Sequence, residues 1–129
     1  MKFDTLIETG NNLIKEYKDS LANITRAQVQ TYRDELSALS VTMAIYMSDF
    51  YEDFIGYELK RKLHEARETE RYIVEKFPAN RSAIKARIDS EELYTKEVDA
   101  ERKFKRASAM LTAWNQILNS MASRMNEHK

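Results

Sequence analysis

Residues that form turns are almost missing from most of this chain. Between Thr25 and Lys129 the sequence holds one glycine, Gly56, and one proline, Pro78. Sites that bind nucleotides or activate a nucleophile are usually built on glycine-rich loops or on sharp turns after strands. The shortage of such residues argues against these catalytic sites, so we expect a protein that is not an enzyme and uses no cofactor.

Cysteine is absent, and so are long apolar runs. Without cysteine the chain cannot form disulfides, thiolate nucleophiles or thiolate metal sites, and a reducing compartment is expected. The first ten residues lack the continuous apolar segment of a signal peptide. No run approaches the roughly 20 apolar residues that a membrane-spanning helix requires. We therefore expect a cytoplasmic protein without a membrane partner, in the host cytoplasm if the chain is encoded by a phage.

The two histidines are poorly placed for a metal site. The stretch from His64 to Glu68 begins like the helix motif of zinc proteases, but Glu68 stands where the second histidine is needed. A di-iron bundle requires Glu three residues before each His, and neither His64 nor His128 has one. We expect His64 to be a solvated helix residue, and no bound metal.

Charge is balanced over the whole chain but not along it. Residues 1–56 carry 5 Lys and Arg against 9 Asp and Glu, whereas residues 57–129 carry 16 against 12. This asymmetry suggests an acidic half and a basic half with different neighbours, one of them a nucleic acid or an anionic protein. The alternative is a set of solvated helix faces with uneven charge.

Apolar residues at spacings of three and four predict an amphipathic helix in the N-terminal segment 1–22. Gly10, Asn11 and Asn12 interrupt this pattern, because glycine inside a helix costs about 1 kcal/mol relative to alanine. Two short helices, or an arm that orders on a partner, therefore remain alternatives to one helix.

A long helix is predicted over 25–77. Thr25 and Gln28 have the spacing of a capping box, and Pro78 is expected to end the helix. If the helix is unbroken, it is about 80 Å long, which is too long for a compact monomer with a radius of gyration near 14 Å. Either the helix breaks near Gly56 or the molecule is elongated, and we favour an elongated molecule. The first part of the helix has apolar residues every seven positions, with others between them: Val29, Leu36, Met43, Phe50 and Tyr57, and between them Tyr32, Leu39 and Tyr46. The later part has an apolar stripe with the 3.6-residue period of globular packing: Ile55, Leu59, Leu63, Ala66, Ile73 and Phe77.

Two further helices complete a single all-α domain over 1–129. A short helix over 80–88 can be capped by Asn80, and Ser90 permits a second capping box before a C-terminal helix over 90–126, although one continuous helix is also possible. Heptads in the C-terminal helix indicate packing against other helices. We predict an elongated helical bundle that oligomerisation completes, with an interface formed by Phe104, Leu111, Trp114, Leu118, Met121 and Met125.

Basic residues recur on the later helices at spacings that place them on common faces. Such rows neutralise phosphates without reading sequence, and exposed aromatic residues nearby could stack on unpaired bases. Glutamates on the same helix offer the alternative that these cations only form helix-stabilising ion pairs. The predicted nucleic-acid contacts are Lys60, Arg67, Arg71, Arg81, Lys85, Arg102, Lys103 and Arg106, with Tyr57, Tyr72, Phe77 and Tyr94 as the aromatic candidates.

From about Leu36 to Arg124 the chain resembles the phage recombination mediators of the UvsY type. The resemblance comprises a long helix rich in aromatic residues and methionine, a basic continuation, an acidic connector and a terminal helix that contains Trp114 and Leu118. The nearest local match is the run Ala83-Ile84-Lys85-Ala86-Arg87-Ile88-Asp89. The amphipathic N-terminus and the acidic first half are not part of that pattern.

The resemblance implies a function. Such mediators bind single-stranded DNA, assemble as rings through their C-terminal helices, and help a recombinase displace single-strand-binding protein. By matching position, Lys85 and Arg87 would contact DNA, and the helix of Trp114 would be the assembly surface. Two other hypotheses stay open: a small helical phage adaptor or inhibitor that contacts a nucleic-acid enzyme through its acidic first half, and a purely structural oligomer.

Overall fold

The computed structural model describes residues 1–76 and 78–127, and within them the chain is all-α. The predictions made for Phe77 and His128 lie outside these residues. The elements are α1 (Phe3–Asp19), a short 3-10 turn (Leu21–Asn23), α2 (Arg26–Val74), α3 (Ala79–Asp89) and α4 (Glu91–Glu127).

The start of α2 confirms the predicted capping box. The backbone N–H of Thr25 donates to Oε1 of Gln28 at 2.8 Å, and the N–H of Gln28 donates to Oγ1 of Thr25 at 3.2 Å. These reciprocal bonds satisfy two of the amides that a helix start leaves open. From there α2 continues for 49 residues and passes through Gly56 without a break.

The turn after α2 begins earlier than the proline suggested. The helix ends at Val74, and Lys76 takes a left-handed conformation with φ 66°. Its N–H donates to the carbonyl of Ile73 at 3.0 Å, which closes the helix end. Pro78 lies at the N-cap of α3, so the helix begins before Asn80, the residue expected to cap it.

Ser90 separates α3 from α4 but does not form the second capping box. Its hydroxyl donates to the carbonyl of Ala86 at 2.9 Å, and its own carbonyl accepts the N–H of Tyr94. The chain therefore passes from α3 to α4 with a single intervening residue.

The chain divides into two compact units, each described by itself. Unit 1 comprises Met1–Met47 and Lys105–Lys129, and unit 2 comprises Ser48–Phe104. The core of unit 1 combines the first half of the α2 heptad with residues of α1 and α4. Its most deeply buried large side chains are Leu6, Val29, Leu36, Met43, Trp114 and Met121.

Gly10 and Asn11 of α1 contact Trp114, the tryptophan of unit 1. A methyl group at Gly10 would lie 2.1 Å from Cζ2 of Trp114, so only glycine lets the indole approach α1 this closely. The indole N–H donates to Oδ1 of Asn11 at 3.2 Å. The residues that weakened the helix prediction thus lie in a single helix, α1, and accommodate Trp114.

Two residues assigned to an oligomer interface lie in this core. The side chains of Trp114 and Met121 have no exposed surface, so they stabilise the fold of unit 1 and present nothing to another subunit. The other members of the predicted interface are half-buried: Phe104, Leu111, Leu118 and Met125.

In unit 2 the second half of α2 runs antiparallel to α3 and the start of α4. Residues later in α2 contact residues earlier in the segment formed by α3 and α4, as expected for an antiparallel helical hairpin. Tyr51 contacts Phe104, with ring centroids 5.2 Å apart, Arg61 pairs with Glu97, and Tyr72 bonds to Asp89.

The hairpin of unit 2 is closed by small side chains on α3 and α4. Ser82, Ala86, Ser90 and Ala100 are buried, and small residues allow helices to approach closely. Most of the large aliphatic residues of this unit instead point outward, including most of the α2 stripe that was expected to show globular packing. The exposed set is Tyr51, Ile55, Leu59, Leu63, Ile73, Val74, Ile84, Ile88, Tyr94 and Val98.

We predict that Gly10→Ala destabilises the protein by up to about 2 kcal/mol. Alanine favours a helix by about 1 kcal/mol over glycine, but the clash with Trp114 is an overpacking cost of about 1–3 kcal/mol. Urea denaturation measures the change. Adding Trp114→Leu to the Gly10→Ala variant should lower the free energy of unfolding by less than Trp114→Leu does in the original chain. If the two substitutions lower it by additive amounts, Gly10 and Trp114 are not in contact.

Candidate nucleic-acid interface

All nine predicted contact residues are exposed, and they are divided between the two units. Arg106 belongs to unit 1, where it pairs with Asp4 at 3.1 Å and lies over the ring of Phe3. The other eight belong to unit 2.

Three of the eight follow one flank of α2. Lys60, Arg67 and Arg71 have spacings of seven and four, which place them on a common side of the helix. The Nζ of Lys60 lies 5.6 Å from the ring centroid of Tyr57. Within the part of the chain that the structure describes, neither Lys60 nor Arg67 pairs with a carboxylate.

Arg71 is more constrained than its neighbours in this row. Its guanidinium donates to Glu68 at 2.6 Å and lies 3.6 Å from Glu75. The hydrogen bond to Glu68 is the main cause of a raised Arg71 pKa. The glutamate alternative from the sequence therefore holds for Arg71.

Tyr72 brings the α2 row together with α3. The guanidinium carbon of Arg71 lies 4.5 Å from the Tyr72 ring centroid, and the Nζ of Lys85 lies 5.2 Å from it. The Tyr72 hydroxyl donates to the carboxylate of Asp89, a bond that raises the tyrosine pKa. Because Tyr72 is buried, it cannot stack on a base, and it instead positions two cations.

The same flank of unit 2 continues onto α4. Tyr57, beneath Lys60, lines a shallow groove of about 150 Å³ with Lys96, Asp99 and Lys103. Sequence reasoning missed Lys96, although its spacing of seven from Lys103 could have indicated a shared face. We name the cations of this flank the basic edge: Lys60, Arg67, Arg71, Lys85, Lys96 and Lys103.

Asp99 lies among the α4 cations of this flank. Its carboxylate accepts hydrogen bonds from Lys103 at 3.1 Å and from Arg102 at 2.5 Å. These two contacts, with Lys103 the larger cause, hold the pKa of Asp99 below its usual range. Asp99 thus occupies donors of both Lys103 and Arg102.

Arg87 lies apart from the basic edge. It lines a groove of about 530 Å³ together with Arg61, Glu65, Glu91 and Tyr94. The structure therefore separates Arg87 from Lys85, although the resemblance gave both the same role. Arg81 is exposed on α3.

An ion pair that sequence reasoning missed fixes the hairpin beneath these surfaces. The guanidinium of Arg61 donates to both carboxylate oxygens of Glu97, from Nε to Oε2 and from Nη2 to Oε1, the latter at 3.2 Å. Its Nη1 also donates to Glu65 at 3.2 Å. The hydrogen bond to Glu97 is the main cause of a raised Arg61 pKa. The Glu97 side chain is only 8% exposed, so this carboxylate depends on its partner.

We predict that Glu97→Ala lowers the free energy of unfolding by about 2 kcal/mol, because Arg61 loses its buried partner and keeps only its contact with Glu65. Replacing both residues, Arg61→Met with Glu97→Leu, should restore stability to within about 1 kcal/mol of the original chain. Denaturant unfolding tests this, and equal losses in the single and double variants would contradict it.

Comparison with known proteins identifies no relative of this chain. The chain matches no family model, no curated protein and no solved structure. Among the described residues, no three His, Cys, Asp or Glu side chains are grouped to hold a metal ion. No helix within that part of the chain is long and apolar enough to span a membrane.

Proposed function

We propose that this protein is a non-enzymatic, oligomeric single-stranded-DNA-binding protein that acts as a recombination mediator and assists recombinase loading. The observation that carries the proposal is the basic edge, on which Lys60 and Arg67 are exposed and have no carboxylate partner among the described residues. An unpaired cation can bind a phosphate without first breaking an ion pair.

Binding by the basic edge is directed at the phosphate backbone. Arg71, Lys96 and Lys103 must exchange a carboxylate for a phosphate, so each contributes less than Lys60 or Arg67. With roughly three to six phosphates engaged, log K should fall with log salt at a slope of about −2 to −4. Little sequence preference is expected, because Tyr72 is buried and Tyr57 lies beneath Lys60.

Assembly strengthens this binding. One copy offers few unpaired cations, whereas linked copies bind the same strand together and gain effective concentration. The recombinase and the single-strand-binding protein are proposed as partners from the resemblance to UvsY-type mediators.

We predict that labelled single-stranded DNA binds in a fluorescence anisotropy titration, and that affinity falls steeply between two salt concentrations. Lys60→Glu with Arg67→Glu should weaken binding at least tenfold, because phosphates then meet like charge. Lys15→Glu with Lys18→Glu, the same charge change in unit 1, is the matched control. Absence of binding at low salt would remove the proposal and leave the adaptor and the structural oligomer.

Two single variants separate the basic edge from the resemblance. Lys85→Glu should weaken binding in either case, whereas Arg87→Glu should matter only if the run Ala83 to Asp89 binds DNA as a unit. A loss of affinity in Arg87→Glu equal to that in Lys85→Glu would show that the interface extends beyond the basic edge.

We predict that Asp99→Asn raises the affinity for single-stranded DNA severalfold at low salt. The change removes the carboxylate that occupies Lys103 and Arg102, so both donors become available to phosphate. The same anisotropy titration measures it. Asp34→Asn in unit 1 controls for the change in net charge, and an unchanged affinity in Asp99→Asn would place the DNA elsewhere.

A further inference from the structure

The outward face of α2 in unit 2 carries a regular row of exposed residues. They alternate at spacings of four and three, the a and d pattern of a helix that pairs with another helix. No residue of this row is buried by the chain itself. We name it the outer seam: Ser48, Glu52, Ile55, Leu59, Lys62 and Ala66.

The outer seam is complementary to itself when two copies run antiparallel. Centred on residue 57, Ile55 of one copy faces Leu59 of the other, so the apolar residues meet at the middle. Glu52 then faces Lys62, and Ser48 faces Ala66. A parallel pair would instead place Glu52 against Glu52 and Lys62 against Lys62, and such like charges repel.

The charges at the seam are available for this contact. Glu52 has no hydrogen bond or ion pair within the described part of the chain. Lys62 donates to Glu58 at 2.9 Å, but its side chain remains 62% exposed and can donate to a second carboxylate. Each pair of copies would contain two such Glu52–Lys62 contacts.

Gly56 is an independent sign that something approaches this face. A methyl group there would meet nothing within 4 Å, so the chain itself gives no steric reason for glycine. Glycine in the middle of a helix costs about 1 kcal/mol relative to alanine. In the antiparallel pair Gly56 lies beside the seam next to the two-fold axis, where the two backbones come closest.

We propose that two copies of this chain pair antiparallel through the outer seam, with Gly56 at the crossing point. This deepens the oligomeric part of the proposed function, since Lys60, Arg67 and Arg71 lie on the Gly56 side of the seam. The basic edges of both copies therefore lie along the same side of the pair. The pairing itself requires no DNA.

A charge exchange tests the register in the absence of DNA. Glu52→Lys alone and Lys62→Glu alone should each lower the mass measured by light scattering, since like charges then face each other. Mixing these two variants in equal amounts should restore the mass, because each Lys then faces a Glu. A mixture that stays dissociated, or single variants that keep the original mass, would overturn the proposal.

The apolar centre of the seam has a matched control in the same unit. Ile55→Asp with Leu59→Asp should dissociate the pair and keep its helical circular dichroism, since both residues are exposed. Ile84→Asp with Ile88→Asp, at similarly exposed positions on α3, should leave the mass unchanged. Dissociation by the α3 variant alone would identify a different surface, and a 15.2 kDa original chain at high micromolar concentration would exclude pairing.

The absence of cysteine permits a direct test of the crossing point. Gly56→Cys should cross-link to itself with a short thiol-reactive reagent, whereas Ser48→Cys and Ala66→Cys should cross-link only when mixed. Self-linking of Ser48→Cys would indicate a parallel pair and overturn the register. Intact pairing without DNA binding would remove only the proposed function, and DNA binding by a monomer would remove only this proposal.

Discussion

The buried contacts between the helices of unit 2 are the constraint on which its surfaces depend. Small side chains of α3 and α4 are buried in the hairpin together with Tyr72, and the Arg61–Glu97 ion pair joins α2 to α4. A buried pair of this kind costs desolvation and contributes little net stability, but neither partner can be removed alone. Its value lies in fixing how α2 and α4 align.

This alignment decides what each side of unit 2 presents. The large aliphatic residues of α2 in this unit face outward, and Ile55 and Leu59 among them lie in a row that a second helix can cover. The flank between the two faces then receives the cations of the basic edge, because Tyr72 and Tyr57 bring residues from α2, α3 and α4 together. The proposed pairing and the proposed polyanion binding thus use adjacent faces of one hairpin.

Local patterns in the sequence predicted the helical class and some of its details. The capping box of Thr25 and Gln28 was predictable because both partners are three residues apart. The contact between Gly10 and Trp114 was not predictable, because the two residues are far apart in sequence and meet only in the fold. The glycine that weakened the prediction of α1 is therefore the residue that lets Trp114 pack against this helix.

The same limit explains the errors at the candidate site. Periodicity shows that a helix has an apolar face but not whether its own chain covers that face, so the stripe through Ile55 and Leu59 was expected to pack and is exposed. Trp114 and Met121 show the reverse case. Likewise, spacing cannot tell that Asp99 occupies two cations or that Lys85 and Arg87 point into different surroundings.

Trp114 gives the chain an internal optical reporter. It is the only tryptophan in the sequence, and it is buried against α1 through Gly10 and Asn11. Release of α1 would expose the indole to water, and its emission would shift to longer wavelength. The intrinsic fluorescence of the unlabelled protein therefore follows the docking of its N-terminal helix, whatever molecule binds elsewhere.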